Sequence, residues 1–509
     1  MSIKLNEYNV VYKRVHRGYV RIALVFPSTY QASLSSLGFN LLYYLLNSYD
    51  EVYAERFTYD TGVRSIETNT PLKEFDVILA TLPYELTYPY FLRILYDAKI
   101  PLFVKDRINE KYPLVIVGGP AVSGNPEPLA EFADIVVIGD AEPTIPVLVG
   151  KLVEHIDRPR ALLEELPTHI GFYIPSLGKH EVHKALTENL DEAFHPIKQI
   201  QNKEVEPVYG RGFMVEASRG CSRMCRFCLE GHVMLPKRDR SFNVIKKLVD
   251  EGLIANNVNR VIFYALSFFD HPEANRILEY VVEEIGIEAS IPSLRPDTLN
   301  DDRLELIARA KQKTLTIAPE TLSPKIAKIL GKGFRDSFIE ELSIKALDRG
   351  FKLKYYFIIG VPNETINDVE EIPKLVNNVV SKAKIRQHEA IKLSVNPLIP
   401  KPQTPLQGLP LEDPQSISRK LKLIEKKLPK PKATLDYYSP KWAVVQTVIA
   451  QADRDIARVL ALWSQTDIGL GSWRKVLKQT GYSIKHVFQY REPPYPWSHI
   501  KMRVSLRTS

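Results

Sequence analysis

Short runs of apolar residues alternate with helical patterns through the first 155 residues of the chain. The apolar runs lie within residues 20–26, 76–80, 113–119 and 134–140, and most successive positions in each are apolar. Strands that are buried on both faces and separated by helices are typical of a parallel sheet. The pattern therefore predicts a Rossmann-like α/β domain over residues 1–155.

A longer series of the same kind runs from residue 211 to residue 410. Six strand patterns, each followed by a helical period, start near residues 212, 260, 288, 314, 352 and 390. Six β-then-α repeats predict a partial (β/α)6 TIM-type barrel, which would carry its functional groups at the carboxyl ends of its strands. The predicted fold class is therefore α/β, with a parallel sheet followed by a partial barrel.

The two remaining ranges lack these repeats. Residues 156–210 mix prolines, charges and short β-like pieces, which indicates a connector with a small hairpin. Residues 411–509 contain a long stretch with apolar positions at helical spacing, which predicts a small helical C-terminal region. This region either lines a substrate mouth or forms a capped helix pair around core tryptophans, and both alternatives use the same side chains: Asp453, Arg454, Asp455, Trp463 and Trp473.

Composition predicts a cytoplasmic protein without a membrane span. The chain has 509 residues, of which 45% are apolar, enough for more than one core. No apolar run approaches the ~18 residues that indicate a membrane-spanning helix, and the first residues lack the apolar segment of a secretion signal. The cysteines of the chain, if they ligate a metal and must therefore stay reduced, fit the reducing cytosol.

The charge of the chain leaves one class of partner open. The 68 Lys and Arg residues outnumber the 60 Asp and Glu residues, and the pI is about 9.0. Much of the excess lies between Ser416 and Lys432, where the basic residues face only Glu425. This stretch is either a solvated helix followed by a proline-broken linker or an arm that contacts RNA. RNA therefore stays open as a partner.

All three cysteines of the chain lie in one stretch. Cys221, Cys225 and Cys228 form a C-x3-C-x2-C pattern. Three thiolates can hold three irons of a [4Fe-4S] cluster and leave the fourth iron open, whereas a cluster that only transfers electrons normally has four cysteines. The alternative is a structural zinc site completed by His232. A disulfide framework is disfavoured by the odd number and the crowded spacing.

Polar groups or glycines follow several predicted barrel strands, among them Arg295, Glu320, Gly360 and Asn396. At a barrel rim a carboxylate or hydroxyl can bind an amino group or ribose hydroxyls, and a glycine lets the backbone approach a flat base closely. The alternative for Arg295 and Glu320 is a rim ion pair that contributes little energy.

The cysteine stretch, with Phe227 before the third cysteine, resembles the C-x3-C-x-aromatic-C loop of the radical S-adenosylmethionine (SAM) superfamily. Further stretches resemble an uncharacterised radical SAM family of the Fe-S oxidoreductase type, whose members begin with a cobalamin-binding-like domain. They include Gly118-Gly-Pro-Ala-Val, Ile138-Gly-Asp-Ala-Glu, Thr316-Ile-Ala-Pro-Glu-Thr and Tyr356-Phe-Ile-Ile-Gly-Val-Pro-Asn-Glu-Thr.

This resemblance implies an enzyme that cleaves SAM reductively and abstracts hydrogen from an unidentified substrate. It implies that Cys221, Cys225 and Cys228 ligate the [4Fe-4S] cluster and that SAM binds at the barrel rim. The implied cofactor-binding residues are Phe227, Ser293, Arg295, Glu320, Gly360, Pro362 and Asn396. A small electron donor protein such as a ferredoxin or flavodoxin is the implied partner.

Two absences in the sequence bear on the reaction. No Asp-x-His-x-x-Gly motif is present, so bound cobalamin would lack the lower axial histidine of well-known cobalamin domains; the alternative is a domain that has lost the cofactor. No further cysteines exist for a second cluster, which excludes methylthio transfer. Hydrogen abstraction, with or without methyl transfer from cobalamin, remains. The alternative class is a non-catalytic metal-binding (zinc or Fe-S) protein that interacts with RNA.

Overall fold

The computed structural model describes residues 6 to 502, except residues 15, 17, 108 to 110 and 386. The outermost parts of the predicted terminal regions, residues 1–5 and 503–509, lie outside the described residues. In the part of the chain that is described, no helix is both long enough and apolar enough to cross a membrane.

The N-terminal region contains a six-stranded sheet. Its strands are β1 (Val20–Phe26), β2 (Val52–Thr58), β3 (Val77–Thr81), β4 (Leu114–Gly118), β5 (Ile135–Val137) and β6 (Phe172–Tyr173). Their order across the sheet is β2-β1-β3-β4-β5-β6, and all neighbours are parallel except β6, which runs antiparallel to β5. Every residue of β1 except Arg21 is buried, as expected for a strand covered on both faces. The predicted Rossmann-like parallel sheet is confirmed.

Helices cover both faces of this sheet. The N-terminal helices are α1 (Tyr30–Leu34), α2 (Leu37–Asn47), α3 (Tyr88–Asp97), α4 (Pro120–Gly124) and α5 (Ala141–Glu154). Apolar side chains of α2 and α5 pack with Ile22, Leu24 and Ile116 on one face. The other face packs against α3 and against helices from the C-terminal end of the chain.

A second set of parallel strands follows. They are β7 (Phe213–Glu216), β8 (Arg260–Tyr264), β9 (Glu288–Ser290), β10 (Thr314–Glu320), β11 (Lys352–Ile359), β12 (Ile391–Pro397) and β13 (Ala433–Tyr437). They pair in chain order, and a single parallel bridge between Leu294 and Ile317 connects the β7-β8-β9 group to the β10-β13 group. The α/β class is confirmed, and a seventh strand, β13, comes from the range predicted to be helical. Its five residues are too few to show a period, so only pairing with β12 identifies it.

Helices separate these strands, as the alternating pattern predicts. They are α6 (Glu230–Val233), α7 (Phe242–Asn256), α8 (Ala274–Glu279, continued by a π-helical turn at Tyr280–Glu284), α9 (Asp301–Arg309), α10 (Pro324–Leu330), α11 (Asp336–Asp348), α12 (Ile366–Lys382) and α13 (Pro414–Lys427). The basic stretch forms α13, whose Ile417, Leu421 and Ile424 are buried in the barrel core. Its Lys420 is also buried, where it pairs with Glu364 and Glu412 at 2.7 and 2.6 Å.

The last helices return to the N-terminal sheet. They are α14 (Pro440–Gln451), α15 (Ala457–Ser464) and α16 (Leu470–Thr480). Trp463 is fully buried and meets Trp473 edge-on, with ring centroids 4.7 Å apart. The Asn125 side-chain amide donates to the carbonyls of Ala450 and Ala452 at 2.9 and 2.8 Å. Both tryptophans therefore belong to the core, as in the helix-pair alternative, and this segment completes the N-terminal domain.

The connector contains no hairpin of its own among its described residues. Its two-residue strand Gln201–Asn202 pairs with Glu7–Tyr8, and Val182–His183 pairs with Ile500–Lys501. Strands this short gain their stability from partners that are distant in sequence, so local composition does not identify those partners.

Candidate active site

The cysteine loop leaves the carboxyl end of the first barrel strand, β7. Directly after it, Ser218–Arg219 pairs antiparallel with Arg238–Asp239, so the loop is closed at its base. Gly220 has a φ of +81°, and a Cβ atom there would lie 2.5 Å from the Met234 carbonyl oxygen. This position therefore requires glycine, which explains the Arg-Gly-Cys start of the loop.

The three cysteine side chains are half-buried, and Cys225 and Cys228 lie next to hydrogen-bond donors. The backbone N–H of Gly231 donates to Cys228 Sγ at 3.3 Å, and Arg295 Nη1 lies 3.7 Å from Cys225 Sγ. Burial raises the pKa of both thiols, that of Cys228 to about 11. Metal ligation requires the thiolates, so a bound metal would add positive charge that offsets the effect of burial on these thiols.

The spacing of the three sulfurs fits a cluster better than a single zinc ion. A tetrahedral zinc site with Zn–S bonds of 2.3 Å places its sulfurs about 3.8 Å apart. Within the described residues, the one group of three whose ligand atoms all lie within 4.8 Å of one another is Glu154, His155 and Glu165, so the cysteines are more widely spaced. His232 donates from Nδ1 to the Cys228 carbonyl oxygen at 2.8 Å, and its buried Nε2 has no hydrogen-bond partner among the described residues. The three sulfurs are therefore farther apart than the ligands of one tetrahedral zinc ion, and their ligation of a [4Fe-4S] cluster stays a prediction.

A cavity of about 390 Å³ opens beside the cysteine loop. Its lining includes Phe227 and Cys228 from the loop and Glu320, Tyr356 and Asn396 from three neighbouring barrel strands. The opposite side of Phe227 packs against a small apolar cluster that includes Leu330 and Val361. The structure thus places three of the sequence-predicted cofactor-binding residues, Phe227, Glu320 and Asn396, around one cavity next to the third cysteine.

Glu320 reaches this cavity because its backbone departs from a regular strand. The register of β10 against β11 shifts between Ile317 and Glu320, and Glu320 has a φ of +67°. Such a bulge with a left-handed residue redirects a side chain and stores strain, which is common at functional sites. Lys332 Nζ lies 2.9 Å from Glu320 Oε1 in a buried ion pair. The alternative of a rim ion pair with Arg295 is therefore wrong.

Arg295 forms its ion pair with Asp297 instead, through Nε at 3.1 Å. It lies at the cysteine loop, outside the residues that line the 390 Å³ cavity. Ser293 is exposed, and no described contact connects it to the cavity. Both residues remain predictions as SAM contacts.

Gly360 lies against the outer helix α13, and neither Gly360 nor Pro362 is among the residues that line the cavity. The Gly360 N–H donates to Glu364 at 2.7 Å, and a Cβ atom at Gly360 would lie 2.6 Å from Ile417. With a φ of +80°, Gly360 is needed for this close approach of strand and helix. A role of Gly360 and Pro362 in SAM binding stays a prediction.

Sequence reasoning missed several residues of this cavity. Tyr356 and Ile358 alternate with buried core residues along β11, so the period of two in that strand is a signal that identifies them. Tyr84 and Glu85 follow β3 in the other domain, and Lys401 pairs with Glu85 at 2.6 Å. These residues lie close together only because the two domains pack against each other, so no local sequence pattern predicts their contact.

A second cavity, of about 450 Å³, lies between the two domains. On one side are the carboxyl ends of β3, β4 and β5 with Gly118 and Gly119, where an open parallel sheet typically binds its ligand. On the other side are Ser218, Arg219 and the residues after β8. Glu230 lines both cavities. The two cavities therefore flank the segment that directly follows the cysteine loop.

A buried ionic network closes this second cavity at the domain boundary. Arg219 contacts Asp140, Glu142 and Glu216 at 3.2, 2.7 and 2.8 Å. Burial opposes ionisation of the Asp140 carboxyl, but the charges of Arg219 and Arg238 outweigh it and lower the pKa of Asp140. The network holds the base of the cysteine loop against the first turn of α5.

Comparisons with known proteins agree with this geometry. Residues 38–175 match the family model described as the N-terminal region of radical SAM proteins, and residues 215–376 match that of the radical SAM superfamily. An uncharacterized protein of Methanocaldococcus jannaschii is 32% identical over 440 residues, which are 86% of this chain and 90% of that one. An uncharacterized methyltransferase of Pyrococcus horikoshii is 26% identical over 56% of this chain and 62% of its own.

Solved structures share the fold across both domains. The cobalamin-dependent SAM radical enzyme OxsB, with aqua-cobalamin and SAM bound, has a TM-score of 0.53 at 15% identity and covers 91% of this chain and 71% of its own. The radical SAM methyltransferase TsrM of Kitasatospora setae, with cobalamin and a [4Fe-4S] cluster bound, has a TM-score of 0.50 at 14% identity and covers 91% of this chain and 99% of its own.

A cysteine loop at the first strand of a parallel barrel, preceded by a parallel α/β domain, defines an enzyme of the radical SAM type. The chain belongs to the radical SAM superfamily, as the two family models and the similarity to the Methanocaldococcus jannaschii protein show.

Proposed function

We propose that this protein cleaves SAM reductively at a [4Fe-4S] cluster held by Cys221, Cys225 and Cys228 and abstracts hydrogen from a substrate, with methyl transfer from cobalamin as part of the reaction. The observation that carries this proposal is the arrangement of two cavities on either side of the cysteine loop. One cavity offers a place for SAM beside the third cysteine, and the other offers a place for a second large ligand.

The 390 Å³ cavity suits SAM in size and in the chemistry of its walls. Its carboxylates can accept hydrogen bonds from an ammonium group or from ribose hydroxyls, and Phe227 and Ile358 provide apolar surface for a flat base. A [4Fe-4S] cluster held by Cys221, Cys225 and Cys228 would supply one electron for the reductive cleavage of SAM bound in this cavity. Phe227, Glu320 and Asn396 would orient SAM, and the walls of the cavity would exclude water from its reacting carbon.

The 450 Å³ cavity is the candidate site for part of cobalamin, which is much larger than SAM and would extend beyond the enclosed volume. Its walls are mainly apolar, with Leu37, Leu79 and Ile145 among them, and it lies at the strand ends where open sheets bind ligands. When bound there, cobalamin would supply a methyl group. No histidine is among the described residues that line the cavity, so the chain offers no imidazole there to ligate cobalt. OxsB and TsrM hold cobalamin in structures of the same fold, which supports the proposal.

A low-potential electron donor completes the system, and a ferredoxin or flavodoxin is the class that we propose. Exposed cationic side chains of the cysteine loop, Arg223 and Arg226, offer a surface for an acidic partner of this kind. The reducing cytosol is the compartment in which three unpaired thiols persist.

The test is anaerobic reconstitution of the full chain with iron and sulfide, followed by incubation with SAM and dithionite. We expect a brown protein that forms 5′-deoxyadenosine, and we expect no nucleoside from the variant in which Cys221, Cys225 and Cys228 are all changed to Ala. A well-loaded wild-type cluster that releases no 5′-deoxyadenosine would contradict SAM cleavage.

Cobalamin is tested separately by adding hydroxocobalamin during reconstitution and measuring the corrinoid that stays with the protein after gel filtration. A substitution that fills the cavity, Gly38→Trp, is expected to remove the corrinoid, because Gly38 faces open space in this cavity. The control is Gly150→Trp, at a glycine that also faces open space but lies outside the cavity lining. Equal corrinoid retention by all three proteins would place cobalamin elsewhere or exclude it.

A further inference from the structure

Arg295 is held in one orientation beside the cysteine loop. Its Nε and Nη2 atoms lie 3.1 Å from the two carboxylate oxygens of Asp297, which is a bidentate pair. Its guanidinium also lies 5.4 Å from the centre of the Phe334 ring. These contacts leave Nη1 directed at the loop, where it is 3.7 Å from Cys225 Sγ.

Further ion pairs hold Asp297 in turn. Arg223 contacts Asp297 at 3.4 Å and forms a shorter pair with Asp270. The resulting chain of charges runs from Asp270 through Arg223 and Asp297 to Arg295 and ends at a sulfur. Only 15% of the Arg295 side chain is exposed, so solvent screens its charge less than that of a surface arginine.

We propose that Arg295 raises the reduction potential of the cluster by donating a hydrogen bond to the Cys225 thiolate, and that it is a positioning and tuning residue rather than a SAM contact. Reduction adds one electron, and therefore one negative charge, to the cluster and its thiolates. A fixed cation and a hydrogen bond to a ligating sulfur favour the more negative, reduced form. The backbone N–H of Gly231 acts in the same sense on Cys228.

The inference rests on the proposed cluster and adds a role for Arg295 in setting its reduction potential, which the proposed function does not include. The SAM cavity is lined without Arg295, so loss of its guanidinium should change the cluster and leave SAM affinity intact. The reverse holds if Arg295 contacts SAM, as the resemblance to the radical SAM family implies.

The experiment is a potentiometric titration of the reconstituted full chain with dithionite, followed by the electron paramagnetic resonance (EPR) signal of the reduced cluster. In Arg295→Met we expect the reduced-to-oxidised ratio at the wild-type midpoint to fall about tenfold, equivalent to about 59 mV for one electron. Arg295→Lys keeps the charge but loses the fork geometry, and we expect a smaller shift in the same direction. SAM affinity, measured by equilibrium dialysis, should be unchanged.

The matched control is Arg349→Met. Arg349 also pairs with an aspartate, Asp301, at 2.6 Å, but it lies at the end of α11, at the opposite rim of the barrel. An unchanged midpoint in Arg295→Met, with iron and sulfide content equal to wild type, would overturn the inference while the proposed function stands. Loss of SAM affinity, or failure of both Arg295 variants to load iron, would also overturn it. A wild-type chain that takes up no cluster would instead remove the proposed function.

Discussion

The cysteine loop and a group of side chains around Glu127, here called the Glu127 cluster, both bring ionisable groups together away from solvent. The cluster consists of Glu127, Tyr173, Arg454 and His499. The two sites differ in how far their ionisable groups are paired with one another. In the cluster, Glu127 is fully buried and accepts hydrogen bonds from Tyr173 and Arg454 at 2.6 and 2.7 Å. In the loop, burial raises the pKa of the Cys225 and Cys228 thiols, and Cys228 lines the 390 Å³ cavity. A carboxylate whose hydrogen bonds are made within the protein, such as Glu127, is typical of a structural site. Thiols that lack such partners, as in the cysteine loop, remain available to ligate a cofactor.

The largest expected effect on stability is at the Glu127 cluster. Glu127→Gln removes a buried carboxylate that is stabilised by its hydrogen bonds and by the half-buried Arg454, so it should lower the free energy of unfolding by about 3 kcal/mol. Urea unfolding followed by tryptophan fluorescence measures this, because Trp463 and Trp473 lie in the same core. The control Glu181→Gln changes an exposed carboxylate and should cost less than about 0.5 kcal/mol. Equal losses in both variants would refute the contrast between buried and exposed pairs.

The same carboxylate should make stability depend on acid pH. Burial by itself raises the pKa of Glu127, but hydrogen bonds from His499, Tyr173 and Arg454, together with the Arg454 charge, outweigh burial and lower the pKa to about 2. Because the folded pKa is below the unfolded value of 4.5, the stabilisation is complete above pH 4.5 and is lost as pH falls toward 2. The difference in unfolding free energy between wild type and Glu127→Gln should therefore shrink by about 3 kcal/mol over that window. A constant difference would contradict the prediction.

A smaller effect is expected from Glu320 in the SAM cavity. Glu320→Gln removes the carboxylate charge while keeping the shape, and we expect SAM to bind about tenfold more weakly, or by about 1.4 kcal/mol. Equilibrium dialysis with the reconstituted protein measures this. The matched control is Glu364→Gln, at a buried carboxylate that pairs with Lys420 outside the cavity lining. If only the Glu364 variant loses SAM affinity, the Gly360 strand rather than Glu320 forms the site.

The smallest effect is spectroscopic and concerns the second cavity. Since no described residue in its lining is a histidine, cob(II)alamin bound there should show no nitrogen coupling from the protein. We expect its EPR spectrum to be the same in unlabelled protein and in protein with ¹⁵N-labelled histidine. A spectrum that changes with the label would show a histidine ligand and contradict the proposed site.

Much of the fold followed from local patterns. The strands of the first sheet are continuous apolar runs, and both covering layers bury them, as such runs require. The cysteine spacing identified the loop, and the pattern of strand ends led to Glu320 and Asn396. The same pattern was less informative at Gly360, because a glycine that permits close packing of a helix has the same sequence signature as one that permits close approach of a ligand.

The sequence by itself determined the class of the protein, since three cysteines at one spacing and the alternation of strands and helices are local features. Only the tertiary structure decided that α14 to α16 complete the first domain, that β13 extends the barrel, and that Arg295 faces Cys225. The two cavities, which share Glu230 in their linings, also form only where the two domains pack together. Each of these depends on contacts between residues far apart in the chain, and the energy of such contacts comes from burial and geometry that no short segment contains.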